Sequence, residues 1–131
     1  MLLMLLATSL ACSACDRRDR DVPEPYRSMA VPAKRLHDPA AQARGAALFA
    51  ETCALCHGPR GDGRGVRQSG LARPPRDLRD PGWRERTSPR RVFWVIREGV
   101  PAGGMPAWKA FDDAETWDLV AYVLSLAPGA S

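Results

Sequence analysis

The sequence predicts an all-α domain in which short helices and long loops wrap around a bound group. Three observations carry that expectation. Three stretches have capped, helical patterning. No stretch alternates apolar and polar residues as a half-buried strand does. Twelve prolines and eleven glycines among 131 residues leave much of the chain irregular. A domain this small has a modest core and often relies on a metal, a disulfide or a cofactor. Loops this long are expected only where function or a ligand holds them.

The first helix belongs to "HDPAAQARGAALFAETC". Asp38 is a suitable N-cap and Pro39 suits the first helical position, where its missing N–H costs nothing. Leu48 and Phe49 lie on a face that leads to Cys53. The second belongs to "TSPRRVFWVIREG". Ser88 caps it, Pro89 opens it, and Gly99 closes it. Val92, Phe93, Val95 and Ile96 form its apolar stripe. The third belongs to "FDDAETWDLVAYVLSLAPG". Asp112 and Glu115 form a capping-box pattern. Trp117, Val120, Ala121 and Leu124 recur at helical spacing, and Pro128-Gly129 stop the run.

The N-terminal run "MLLMLLATSLA" is apolar and ends in small residues. It falls short of the roughly 20 residues that span a bilayer and suits the apolar centre of a secretory signal. No Lys or Arg precedes it. Cys12 and Cys15 stand where a signal peptidase would cut, and "TSLAC" and "CSAC" resemble the lipobox of bacterial lipoproteins. Neither cysteine has a leucine three residues before it. Residues 1–15 are therefore expected to be a signal with a lipidation site at Cys12 or Cys15. Residues 16–37 have mixed charge, three prolines and few large apolar groups. That composition predicts a flexible tether, with a mean span of roughly 25 Å for a coil of this length. The folded head is expected over 38–128.

"ETCALCHGPRGDGRG" places Cys53, Cys56 and His57 within five residues. Such a cluster could hold zinc, form a redox disulfide or attach a haem. Zinc ribbons space their cysteine pairs by about 15–20 residues. Here the second pair, Cys12 and Cys15, is much farther off and lies in the signal region. A thioredoxin-like pair needs a βαβ setting, which this chain does not offer. C-x-x-C-H is the pattern of c-type haem attachment. The two-residue spacer brings both sulfurs to one porphyrin edge, and the histidine reaches the iron from the same side. A covalent haem is also a large apolar plate, able to supply the core that the sequence lacks.

The iron then needs a sixth ligand. "GVPAGGMPAW" offers Met105 in a loop of Gly and Pro. Met1 and Met4 fall in the signal and Met29 in the tether. A thioether paired with histidine raises the reduction potential. An open-site haem sensor or a peroxidase would instead need a free iron face, and a peroxidase a distal acid/base as well. His37, the one other histidine, lies at the edge of the tether.

On these residues the chain resembles class I c-type cytochromes. Gly45, Phe49 and Cys53 in "GAALFAETCALCHG" match the family's spacing. "GMPAW" resembles its methionine-ligand loop, and "WDLVAYVLSL" its last helix, with Tyr122 at the aromatic position. The resemblance covers about Pro39 to Leu126. It implies one covalent haem c on Cys53 and Cys56, ligated axially by His57 and Met105 and used for one-electron transfer. It implies that the first and last helices cross near Gly45. It also implies that the second ring nitrogen of His57 is held by a backbone carbonyl, that of Pro74 or Pro75. Such a domain serves as a free carrier or as the haem subunit of a redox enzyme.

The formal charge of +4 is unevenly spread. From Arg60 to Arg97 eleven arginines face four carboxylates, whereas from Glu98 onward Lys109 faces five. Such poles steer encounters with a redox partner that presents an acidic docking surface. Arginines of this run could equally pair haem propionates. Nucleic acid is excluded as a partner, because the basic run is broken by proline and the signal directs the chain out of the cytoplasm. The expected location is the periplasmic side of a bacterial membrane. The expected anchor is an N-terminal lipid or an uncleaved signal, and without either the protein would be a soluble periplasmic one.

Overall fold

A computed structural model describes residues 17–126. The described chain is helical. Helix α1 spans Ala33–Leu36, α2 Pro39–Leu48, α3 Ala54–His57, α4 Pro81–Arg86, α5 Pro89–Glu98 and α6 Asp113–Ser125. Short 3-10 turns lie at Tyr26–Ser28, Gln68–Gly70 and Pro101–Gly103. Among the described residues the β structure is limited to one isolated antiparallel bridge, Val100 with Met105. No helix among them is long and apolar enough to cross a membrane.

The three expected helices form where their caps place them. Asp38 accepts a hydrogen bond from the Ala40 N–H, with Pro39 at the first position. Ser88 accepts from the Arg91 N–H, and Gly99 ends α5. Asp112 and Glu115 close a reciprocal capping box. Pro128 and Gly129 lie outside the described residues. Helix α4 follows the same rule, with Asp80 accepting from the Trp83 N–H at 2.6 Å and Pro81 at the start. It is too short for helical periodicity to reveal it.

The core forms where α2 and α5 pack on α6. Gly45 is buried at the crossing of α2 and α6. A Cβ there would stand 2.6 Å from the Asp118 carbonyl carbon and 2.9 Å from Tyr122 Cβ, so only glycine permits this approach. One turn on, Phe49 packs on Tyr122 with ring centroids 5.1 Å apart. Phe93 of α5 meets Trp117 of α6 at 4.6 Å. Leu119, Val120 and Val123 complete the buried face.

Asp118 fastens three helices together. Its buried carboxylate accepts from Arg35 Nε of α1 at 2.7 Å and from Arg44 Nε of α2 at 2.7 Å. Burial pushes the Asp118 pKa up, but the hydrogen bonds from Arg44 and Arg35 outweigh it and hold the carboxyl below its usual range.

Residues 17–37 differ from the expected flexible tether: they pack against the head. Val22 is 1% exposed and Asp19 4%. Asp19 accepts from Ser88 Oγ at the cap of α5 and from Arg90 at 3.1 Å. Arg90 also donates to the Met29 carbonyl at 2.7 Å. Tyr26 packs on Phe93 and donates its hydroxyl hydrogen to Glu98. The cause is specific pairing. A few apolar side chains find places on α5, and the segment's carboxylates meet the arginines there.

Candidate functional site

The site begins where α2 gives way to a wider turn. Over Phe49–Cys53 the helix becomes π-helical, and Thr52 returns its hydroxyl hydrogen to the Leu48 carbonyl at 2.7 Å. Helix α3 follows and carries Cys56 and His57. The next loop folds back along it. The N–H groups of Gly63, Gly65 and Arg67 donate to the carbonyls of His57, Cys56 and Leu55 at 2.7, 3.0 and 2.8 Å. These bonds fix the backbone under the C-x-x-C-H run.

Cys53 and Cys56 are half-buried and not joined in a disulfide. Burial pushes the Cys53 thiol pKa up, against a hydrogen bond with Thr52. His57 sits 6.5 Å from the Phe49 ring, centroid to centroid. Burial lowers its pKa, partly opposed by the bond to Arg76, which favours the neutral imidazole. Its Nδ1–H donates to the carbonyl of Arg76 at 3.1 Å. The expected partner was the carbonyl of Pro74 or Pro75. The loop reaches the ring one to two residues later, because the Leu78 N–H is pinned to the Gly61 carbonyl at 2.7 Å and sets where the strand of loop lies. With Nδ1 so engaged, Nε2 is the ring nitrogen left free to bind a metal.

Cys53, Cys56, His57 and Met105 all line one cavity of about 630 Å³, a volume within the roughly 300–1,000 Å³ of small-molecule and cofactor sites. Phe49, Val92, Val95, Ile96, Leu119 and Val123 supply apolar walls. Met105 is placed by its own loop. It exchanges backbone hydrogen bonds with Val100, at 2.9 and 3.2 Å. Gly99, at φ +71°, passes so close beneath that a Cβ would stand 2.5 Å from the Met105 carbonyl oxygen. The Trp108 N–H then donates to the Ile96 carbonyl at 3.0 Å. The loop is therefore tied to the end of α5 on both sides of Met105. Trp108 lines the cavity and stacks on Phe111 at 5.7 Å.

The residues fit a haem in a second way. Part of the cavity wall is cationic, with Arg67, Arg73, Arg76 and Arg91. Thr87 stands among them, and its Oγ1 is buried without a hydrogen-bond partner. A buried hydroxyl left without a partner costs about 1–3 kcal/mol. An acceptor carboxylate at the edge of an otherwise apolar plate would satisfy it. Nothing in the sequence around "ERTSP" singles out Thr87, because its meaning depends on where the fold buries it.

The chain matches, over residues 40–123, the family model described as cytochrome c oxidase, cbb3-type, subunit III. The protein belongs to this family of class I-type c-type cytochrome domains. This cytochrome domain therefore carries covalently bound haem c and serves electron transfer. A solved structure, the reducing HAO-like protein complex of Kuenenia stuttgartiensis, resembles it with 26% sequence identity and a TM-score of 0.60. That similarity covers 69% of this chain and 45% of the other, so the cytochrome spans less than half of its structural relative. Four of the six residues singled out in the sequence meet at the cavity. Cys12 and Cys15 lie outside the described residues.

Proposed function

We infer that the protein is a one-electron carrier in which Cys53 and Cys56 would attach the haem c and His57 and Met105 would ligate its iron. The single observation that carries this assignment is that these four side chains line one apolar cavity. Haem c supplies a one-electron couple at its iron. The chain supplies the surroundings. Cys53 and Cys56 present thiols for two thioether bonds. His57 is held by the Arg76 carbonyl in the tautomer that leaves Nε2 for the iron. Met105 offers a soft, neutral sulfur that favours the reduced state. Val92, Val95 and Ile96 exclude water, which limits reorganisation during transfer. Thr87 and the nearby arginines would meet the carboxylates of the haem.

Partners are redox proteins, and the arginine-rich surface suits one with an acidic docking face. A second reading, a haem subunit of a redox enzyme, is favoured by the structural relative, which is itself a protein complex. The proposed location is the periplasmic side of a bacterial membrane. Attachment would be through a lipid on Cys12 or Cys15, or through the uncleaved apolar run. The test is the visible spectrum of the protein made in a periplasm, oxidised and reduced, with acid–acetone extraction. A sharp reduced c-type band, haem left on the protein and the weak ferric band of methionine ligation are expected. A c-type spectrum without the methionine band would shift the reading to an open-site sensor or peroxidase. A colourless zinc protein would overturn it.

A further inference from the structure

A second cleft of about 530 Å³ abuts the haem cavity and shares Arg76, Trp83, Thr87 and Arg91 with its wall. Its outer rim is formed by Arg17, Arg18 and Arg86, all exposed. Two carboxylates, Asp21 and Glu85, also line it. Asp21 is already held by Arg91 at 3.1 Å. The rim is thus strongly cationic, and haem attachment makes no use of it.

The position of this rim along the chain matters. Arg17 stands two residues after Cys15 and five after Cys12. Extended chain spans at most about 3.6 Å per residue, so these gaps reach no more than roughly 7 and 18 Å. The chain beyond offers no further slack, because Asp19 and Val22 are buried against the head. Membrane attachment at either cysteine, the reading on which this inference rests, therefore brings the arginine rim to the depth of the lipid headgroups. Guanidinium groups grip phosphate through paired, charge-assisted hydrogen bonds.

We propose that this cleft seats the phosphate of an anionic phospholipid headgroup, so that the domain lies on the membrane by its arginine face. The edge of the haem cavity at Arg76 and Arg91 then faces the bilayer. The test uses full-chain holoprotein mixed with vesicles of phosphatidylcholine alone or of phosphatidylcholine with phosphatidylglycerol. Flotation with phosphatidylcholine reads the attachment. The rate at which phenylglyoxal modifies Arg86, read by peptide mass spectrometry, reads the cleft. Arg60 is the internal reference, with its side chain 60% exposed and outside the cleft.

Flotation with both vesicles is expected, with Arg86 modified several-fold more slowly on phosphatidylglycerol and Arg60 unaffected. The Arg17→Gln/Arg18→Gln variant should still float and should lose that protection. Flotation with equal Arg86 rates would overturn the headgroup site and leave the attachment standing. Equal slowing at Arg60 would mark a general surface effect and overturn it too. Protection by inorganic phosphate on phosphatidylcholine vesicles would assign the cleft to a soluble phosphate instead. Failure to float would remove the attachment, and the headgroup site with it.

Discussion

Gly45 and Asp118 meet backbone to backbone, so closely that a Cβ on Gly45 would stand 2.6 Å from the Asp118 carbonyl carbon. The approach sets the distance between α2 and α6. Because Phe49 and Cys53 follow on the same helix and its continuation, it also sets the height of Cys53 above α6. Gly45→Ala should force the helices apart. Overpacking a close contact of this kind costs about 3 kcal/mol. A thermal melt of the holoprotein should show a midpoint lower by roughly 10 °C or more. An unchanged midpoint would mean that the crossing relaxes freely.

Met105→Ala should keep the covalent haem, lower the reduction potential and open the iron to carbon monoxide. The Val100–Met105 backbone bonds do not need the side chain, so the loop should persist. Potentiometry and a carbon monoxide difference spectrum check this. Wild-type resistance to carbon monoxide in the variant would remove Met105 from the ligand set.

Changing Cys53 and Cys56 together to Ser should leave a protein that loses its haem under denaturing extraction. Haem that stays with the chain after that treatment would sink the attachment assignment. The apo-like protein should also melt at a lower temperature, because the cavity of about 630 Å³ would lose the plate that fills it.

The Asp118 carboxyl titrates below its usual range. Its contribution to stability is therefore complete above the unfolded pKa, about 3.9. It is lost as pH falls through the lower folded value. Asp118→Asn should cost about 2 kcal/mol at neutral pH, less than a fully buried pair because Arg44 is half exposed. Denaturant melts across the acid range should show the wild type and the variant converging as pH drops below the unfolded value. A constant gap would argue that Asp118 acts only through packing.

Asp19→Asn should loosen residues 17–31 without changing the visible spectrum. The variant keeps the shape but removes the charge that meets Arg90. Amide exchange at Val22 and Tyr26 should quicken, and the thermal midpoint should fall by several degrees. Wild-type exchange as fast as in an unstructured peptide would restore the tether.

Much of the site was legible because its signals are local. Caps at Asp38, Ser88 and Asp112 are read within four residues, and the C-x-x-C-H run within five. Gly45, Phe49 and Cys53 match a spacing whose resemblance to class I c-type cytochromes implies the helix crossing. The docking of residues 17–37 was not legible. Asp19 finds Ser88, and Tyr26 finds Glu98, across about seventy positions of chain. A lone Val22 among charges and prolines carries no periodicity that would place it in a core. The His57 partner was misread for a related reason. Which carbonyl meets the ring depends on how the loop is pinned at Gly61 and Leu78, not on the residue types near it. Thr87 gave no signal at all, since a threonine before a helix cap is ordinary until the fold buries its hydroxyl.

The π-helical turn at Phe49–Cys53 has a bearing on spacing. Along a regular α-helix, residues four apart drift by about 40° around the axis. Over the two steps from Gly45 to Cys53 that drift would carry the thiol well off the line of the crossing glycine. A wider turn holds more residues and absorbs part of it. One short ruler can then mark the helix contact, the aromatic and the Cys53 sulfur along a single edge. Removing one residue from that ruler would turn the sulfur away from the cavity while leaving every side chain otherwise intact.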